Sequence, residues 1–256
     1  MSTDLSTQRT AVITGAGSPR GIGLAAARRY AAAGWAVALL DLNEDSVKAN
    51  AEAVAEEFGV PALGFAANVT DQDGVQAVAD AIAASELPVV GALANIAGIP
   101  SPASFDELTL DEWNRTISVN LTGSFSTAKA FAPQMIAGGY GRIVNMSSVT
   151  AQHGGGVFSK TAYAAAKAGV IGLTRGLARE LAEHGITANA VAPGVVDTDI
   201  RTGTTAEIES KLAADVPLGR QGTPDEIGAL FVWLSSPDAG YITGTTQSIN
   251  GGTYIA

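Results

Sequence analysis

Short apolar runs of strand type alternate with longer amphipathic stretches along almost the whole chain, and this alternation constrains the fold more than any other feature. Residues 10–14, 36–41, 62–67, 91–95, 142–147, 187–192 and 245–249 read as strands. Helical patterns fill 21–33, 43–58, 71–85, 110–137, 160–184, 204–214 and 224–234. Asn43 and Thr223 stand where N-caps belong, and Glu44 and Asp45 follow in a first turn. Pro133 falls inside the 110–137 pattern and is expected to kink it rather than end it. Continuously apolar strands separated by helices predict a parallel sheet covered on both faces. No linker, composition shift or internal repeat divides the chain. The expected architecture is α/β: a single-domain, doubly wound, Rossmann-like parallel sheet over residues 1–256. Residues 1–9 are expected to be a flexible N-terminus and 199–218 a mobile lid. Ligands then belong beyond the carboxyl ends of the strands.

Composition removes several classes of function. The net charge is −10 and the basic residues are scattered, so no nucleic-acid footprint is present. The chain has no cysteine and two histidines, His153 and His184. Disulfides, thiol catalysis and a multi-histidine metal centre are therefore excluded, and no metal is expected. The first ten residues carry no apolar signal core, and no apolar run is long enough to span a membrane. A cytoplasmic location with no membrane partner is expected.

The segment from Thr14 to Gly23 (TGAGSPRGIG) joins the first strand to the first helix. Glycines there let the backbone approach a pyrophosphate, and the helix N-terminus offers free N–H groups. Any tight strand–helix turn can be glycine-rich; the position at the head of the first unit is what favours a dinucleotide. Asp41 ends the second strand, 20 residues beyond Gly21. A carboxylate there accepts ribose hydroxyls and repels a 2′-phosphate, which points to NAD over NADP. Arg20 pulls the other way, since a guanidinium beside the turn could take that phosphate.

Tyr163 and Lys167 are four apart in a helical pattern and share a face. A nearby ammonium favours phenolate over phenol and so lowers the tyrosine pKa. The phenol could then exchange a proton with a carbonyl or alcohol oxygen. Ser147 and Ser148 end the strand at 142–147, where side chains reach the ligand edge. A hydrolase reading fails because no Gly-x-Ser-x-Gly elbow surrounds either serine.

These segments, taken with Asn95-Ile96-Ala97-Gly98, Asn120, Pro193-Gly194 and Asn250-Gly251-Gly252, resemble the short-chain dehydrogenase/reductase family from Thr10 to the end. The resemblance implies a nicotinamide-dependent oxidoreductase acting on CH–OH groups, with Asn120, Ser148, Tyr163 and Lys167 as its catalytic residues. Tyr163 would be the acid/base. Lys167 would bind the nicotinamide ribose, Ser148 the substrate oxygen, and Asn120 a proton-relaying water. It implies cofactor contacts from Gly15, Ser18, Arg20, Gly21, Ile22, Gly23, Asp41, Asn68, Val69, Asn95, Ala97 and Gly98. Further contacts would come from Pro193, Gly194, Val196 and Thr198, the last holding the carboxamide. The chain departs from the family at three places. The glycine turn is two residues longer through Ser18-Pro19-Arg20. Ile96 replaces an asparagine, and Asn68 replaces an aspartate that meets the adenine amino group.

A small secondary alcohol or ketone, polyol- or sugar-like, is the expected substrate, with pocket walls from 101–105, 151–158 and 199–218. The alternative is a 3-oxoacyl carrier-protein reductase. A non-catalytic NAD-sensing protein is a further class, disfavoured because all four catalytic positions are filled. A carrier protein is acidic and calls for a basic rim, yet 134–140 contains no basic residue and 181–184 offers only Glu183 beside His184. Arg142 and Arg179 are expected to serve internal pairs. The resemblance also implies a homotetramer, through the Ala- and Gly-rich helices at 110–137 and 160–184 and the C-terminal strand.

Overall fold

The computed structural model describes residues 9–156, 159–199 and 205–255. Most of the expected flexible N-terminus, 200–204 of the expected lid, and Val157 and Phe158 of the expected pocket wall lie outside the described residues.

Seven strands form one parallel sheet in the order β3-β2-β1-β4-β5-β6-β7. They are β1 (Thr10–Thr14), β2 (Ala36–Asp41), β3 (Ala62–Ala66), β4 (Val90–Asn95), β5 (Gly141–Met146), β6 (Ile186–Pro193) and β7 (Thr246–Ile249). The order reverses between β1 and β4, which opens a crevice at their carboxyl ends. Nine helices are described: α1 (Ile22–Ala32), α2 (Glu44–Phe58), α3 (Gln72–Ala84), α4 (Leu110–Ile117), α5 (Gly123–Ala137), α6 (Thr150–His153), α7 (Thr161–Glu180), α8 (Ala206–Ala214) and α9 (Pro224–Ser235).

Side-chain alternation along the strands sorts the core into two layers. Ala11, Ile13, Val37 and Leu39 face α1, α2 and α9, where they meet Tyr30, Val47 and Phe231. Val12, Ala38, Leu40 and Ile143 face the other way, onto Val75, Ile82 and Phe131 of α3 and α5. Local signals start the helices where expected. Asn43 accepts from the Ser46 amide, and Thr223 forms a reciprocal capping box with Glu226.

The stretch expected as one helical region over 110–137 is helical throughout, with a change of hydrogen-bond pattern in the middle. A π-helical turn, Ser118–Thr122, separates α4 from α5, whereas Pro133 lies inside α5 without ending it. The buried Asn120 side chain accounts for the extra residue. Its Nδ2 donates to the Thr116 carbonyl and to the Ile99 carbonyl, both at 3.0 Å, which ties the turn to the loop after β4.

Candidate active site

The glycine turn is built so that side chains would obstruct it. Gly15 has φ +71°, and a Cβ there would lie 2.9 Å from the Ala97 Cα. The Thr14 hydroxyl accepts from the Ile96 and Ala97 amides, both at 3.0 Å, locking this loop to the one after β4. From α2, Asn50 donates to the Ala16 carbonyl at 2.8 Å and the Gly17 carbonyl at 3.1 Å. Asp41 accepts from the Gly17 amide at 2.8 Å and from the Asn43 amide at 3.3 Å. Its carboxylate is thus held at the groove wall by two N–H donors, with acceptor capacity remaining.

Two joined concavities run along the carboxyl edge of the sheet. One is lined by Gly15, Asp41, Asn68, Val69, Ala97 and Gly98. The other, of about 250 Å³, is lined among others by Ile22, Gly98, Ser148, Tyr163, Lys167, Pro193, Gly194, Val196 and Thr198. Gly98 belongs to both. The pair fits a dinucleotide laid across the glycine turn: a ribose-binding carboxylate at one end, a backbone-lined bend, and a partly polar chamber at the other. Gly23 lies at the start of α1, where a Cβ would collide with the Gly15 carbonyl, so its part is close packing of that helix.

Five expected cofactor residues have partners or surroundings of their own within the chain. The Asn95 side chain is buried behind the groove, donating to Asn145 at 2.8 Å and accepting from Thr127 at 2.6 Å. It ties β4 to α5 and β5 instead of facing a ligand, because it points into the helix-covered side of the sheet. The Asn68 carbonyl oxygen already accepts from the Thr70 amide at 3.1 Å and hydroxyl at 2.8 Å, so an adenine amino group would have to share it. Arg20 and Ser18 are directed at acidic residues of the loop after β6, at Asp197 and Asp199. Gly21, with Arg20, lines a shallow depression on the outer side of the turn.

Three of the four catalytic candidates, Ser148, Tyr163 and Lys167, line the second chamber, and the fourth, Asn120, is buried behind it. Lys167, 2% exposed, donates from Nζ to the Met146 carbonyl at 2.8 Å. Its Nζ lies 5.5 Å from the centre of the Tyr163 ring. Ser147 serves structure: its hydroxyl donates to the Lys167 carbonyl at 2.9 Å, fastening α7 to β5. Ser148 accepts from the Thr150 amide at 3.1 Å, and its hydroxyl is the group that eases ionisation of the Tyr163 phenol. Asn120 is fully buried, and its Oδ1 accepts from the Ile99 amide at 3.3 Å. A Cβ on Gly98 would sit 2.6 Å from that oxygen and 3.4 Å from Lys167 Nζ, so Asn120 and the lysine flank one spot.

Burial governs the ionisation of the pair. It brings Lys167 down to about 7, since a charged ammonium is poorly solvated there. It pushes Tyr163 up to about 12, and the Ser148 hydroxyl opposes this only in part. The expectation that the lysine lowers the tyrosine pKa is therefore reversed in the ligand-free protein. Desolvation outweighs an ammonium that is itself largely discouraged from holding its charge.

The sequence reading missed Thr14, Asn50, the Met146 carbonyl, Asp197 and Asp199. Asn50 carried a signal: it is a polar residue at helical spacing among Val47, Ala51 and Val54, the buried face of α2. A backbone carbonyl such as that of Met146 carries none. Among the described residues no group of three or more His, Cys, Asp or Glu side chains could hold a metal. No helix among them is long and apolar enough to cross a membrane.

Comparison with known proteins accords with this geometry. A family model described as enoyl-(acyl carrier protein) reductase matches residues 15–254. An uncharacterized short-chain type dehydrogenase/reductase of Sinorhizobium fredii is 38% identical over 96% of this chain and 98% of its own. An acetoacetyl-CoA reductase of Rhizobium meliloti is 39% identical over 97% and 99%. The crystal structure of a 3-oxoacyl-(acyl-carrier protein) reductase with bound NAD from Brucella melitensis superposes with a TM-score of 0.89. It is 33% identical, over 99% of this chain and 94% of that one. With Tyr163, Lys167, Ser148 and Asn120 gathered at the mouth of a dinucleotide groove, the chain is an oxidoreductase of the short-chain dehydrogenase/reductase family, acting on CH–OH groups.

Proposed function

We propose that the protein interconverts a small secondary alcohol and its ketone with NAD(H), as one catalytic domain in which residues 205–218 cover the cleft. The observation that carries this reading is the convergence of Tyr163, Ser148 and the buried Lys167 on one chamber that opens into the groove bearing Asp41. When bound, the nicotinamide ring supplies or accepts the hydride. At neutral pH the Tyr163 phenol holds its proton, which suits donation to a carbonyl oxygen during ketone reduction. Ser148, which lines the same chamber, holds the same substrate oxygen. Lys167 and Asn120 lie behind them and return a proton to Tyr163 through water. Alcohol oxidation needs the phenolate and is the harder direction at neutral pH.

The walls refine the substrate. Ile96, Pro100, Met146, Val149, Val195 and Leu212 line the chamber, with Thr150, His153, Ser159 and Thr253 as its other polar groups. Such walls favour a ketone carrying hydrocarbon substituents over the polyol- or sugar-like compound expected from sequence. For the cofactor, the fixed Asp41 carboxylate supports NAD. One such charge 4 Å from one phosphate charge costs about 4 kcal/mol at an effective dielectric near 20. The similar Brucella melitensis reductase was solved with NAD bound.

A second reading, reduction of a 3-oxoacyl group on carrier protein, is favoured by the name of that same structural relative. The surface weighs against it. Arg142 is 6% exposed, stacked 4.1 Å from the Tyr140 ring that Arg9 approaches at 4.4 Å, so it cannot dock a partner. Arg179 is exposed and is the remaining cation of that rim. A homotetramer is supported by the exposed apolar side chains of Phe105, Leu110, Phe125, Trp233, Tyr241 and Ile255.

Four outcomes are expected. Tyr163→Phe should lower kcat by at least ~10²-fold, the low end for loss of an acid/base group, while NADH still binds by fluorescence titration. Near-normal turnover would refute the assignment. A panel of small ketones and secondary alcohols, run beside a carrier-bound 3-oxoacyl thioester at low and moderate salt, should show salt-insensitive activity on the free compounds. In it, NAD(H) should exceed NADP(H) by about tenfold in kcat/KM, equivalent to ~1.4 kcal/mol. Salt-sensitive preference for the carrier-bound thioester would establish the second reading. Light scattering should give about four times the 25.8 kDa chain mass; a monomer would exclude the tetramer.

A further inference from the structure

The lengthened tip of the glycine turn does not end in solvent. Arg20 Nη2 lies 2.7 Å from Asp197 Oδ1, and Arg20 Nε lies 3.7 Å from Asp199 Oδ1. The Ser18 hydroxyl donates to Asp199 Oδ2 at 3.0 Å. The acids sit on the loop leaving β6, and backbone bonds hold that loop. The Asp197 amide donates to the Gly222 carbonyl at 3.1 Å, and the Gly222 amide donates to the Val195 carbonyl at 2.9 Å. The acids are therefore the anchored partners and the long Arg20 side chain the movable one.

Arg20 follows Gly17 by three residues, and the Gly17 amide is what fixes the Asp41 carboxylate. Arg20 is the cation of this turn that could offset the repulsion between Asp41 and a 2′-phosphate. We propose that Asp197 and Asp199 are cofactor-specificity determinants acting through Arg20. They hold its guanidinium away from the adenosine ribose and leave Asp41 unopposed. This rests on the NAD reading above and gives it a second cause.

The charges explain why the arrangement holds. Two carboxylates already present Arg20 with two negative charges, as many as a 2′-phosphate brings at most. Moving the guanidinium to the phosphate therefore gains little attraction, and it leaves two acids unneutralised beside a groove meant for a pyrophosphate. The Arg20 and Asp197 side chains are 61% and 62% exposed, so the effect is modest. An exposed pair amounts to ~1 kcal/mol or less, a factor of about five in binding.

The test needs no substrate. Dissociation constants for NADH and NADPH are measured by nicotinamide fluorescence on the full chain. The proteins compared are the parent, Asp197→Asn/Asp199→Asn, and the same pair combined with Arg20→Ala. Asparagine keeps the side-chain size and the backbone bonds, and the single Asp199→Asn and Asp197→Asn variants serve if the pair folds poorly. The double variant should bind NADPH better relative to NADH by about fivefold, and removing Arg20 should erase that gain. An equal change for both dinucleotides would overturn the proposal and make the contact a simple clasp. A selective gain that survives loss of Arg20 would overturn it too, because the acids would then repel the phosphate directly. The parent's own NADH-to-NADPH ratio tests the NAD reading separately from the Arg20-dependent change.

Discussion

A lysine ammonium with one protein acceptor, sunk into the end of a parallel sheet, is the constraint around which the site is arranged. Lys167 reaches the Met146 carbonyl at the end of β5, and the carbonyl of Lys167 itself takes the Ser147 hydroxyl. Side chain and backbone of one residue thus fasten α7 to β5 at the point where Tyr163 must be placed. Asn120 closes the chamber from the π-helical turn, and Gly98 leaves the space between them free. Burial disfavours a charged form, so it works towards a neutral lysine and a neutral tyrosine together. Water or ligand oxygens entering the chamber would restore the charge that the chemistry requires.

The other half of the groove follows a different logic, in which backbone does the positioning. Thr14, Asn50 and Asp41 hold the glycine turn from three sides, using one hydroxyl, one amide and one carboxylate. None of these interactions depends on a bound ligand, so the turn is organised in advance and little ordering cost remains at binding. The same turn reaches Asp197 and Asp199 across the sheet edge, which makes the loop after β6 part of the cofactor site electrostatically as well as sterically.

Much of this was legible in the sequence because it depends on local pattern. The strand at 10–14, the one at 36–41 and the caps at Asn43 and Thr223 follow from apolar runs and capping chemistry, and they stand where expected. The π-helical turn between α4 and α5 was not legible. It arises from Asn120 bonding the Ile99 carbonyl, a contact between segments 21 residues apart that helical periodicity cannot express. Asn95 is expected at the cofactor because it belongs to a motif, and strand alternation turns its side chain towards Thr127. The pairing of Arg20 and Ser18 escapes local pattern for a related reason. Their partners lie 177 and 181 residues away, so sequence displays a free cation where the fold presents a neutralised one. The direction of the Tyr163 shift was not legible either, because pair spacing reveals proximity and says nothing of burial.

The central claim, that burial sets the charge of the Tyr–Lys pair, can be measured through stability. In the unfolded chain Lys167 keeps its proton up to about 10.5; in the folded, ligand-free protein it releases it near 7. Folding therefore expels a proton across that window, and stability should rise as pH goes from about 7 to about 10. The measurement is the thermal unfolding midpoint of the ligand-free parent against Lys167→Met over that range. The account predicts that the difference between the two changes steadily with pH in favour of the parent. A difference independent of pH would contradict it, because Lys167 would then carry the same charge folded and unfolded.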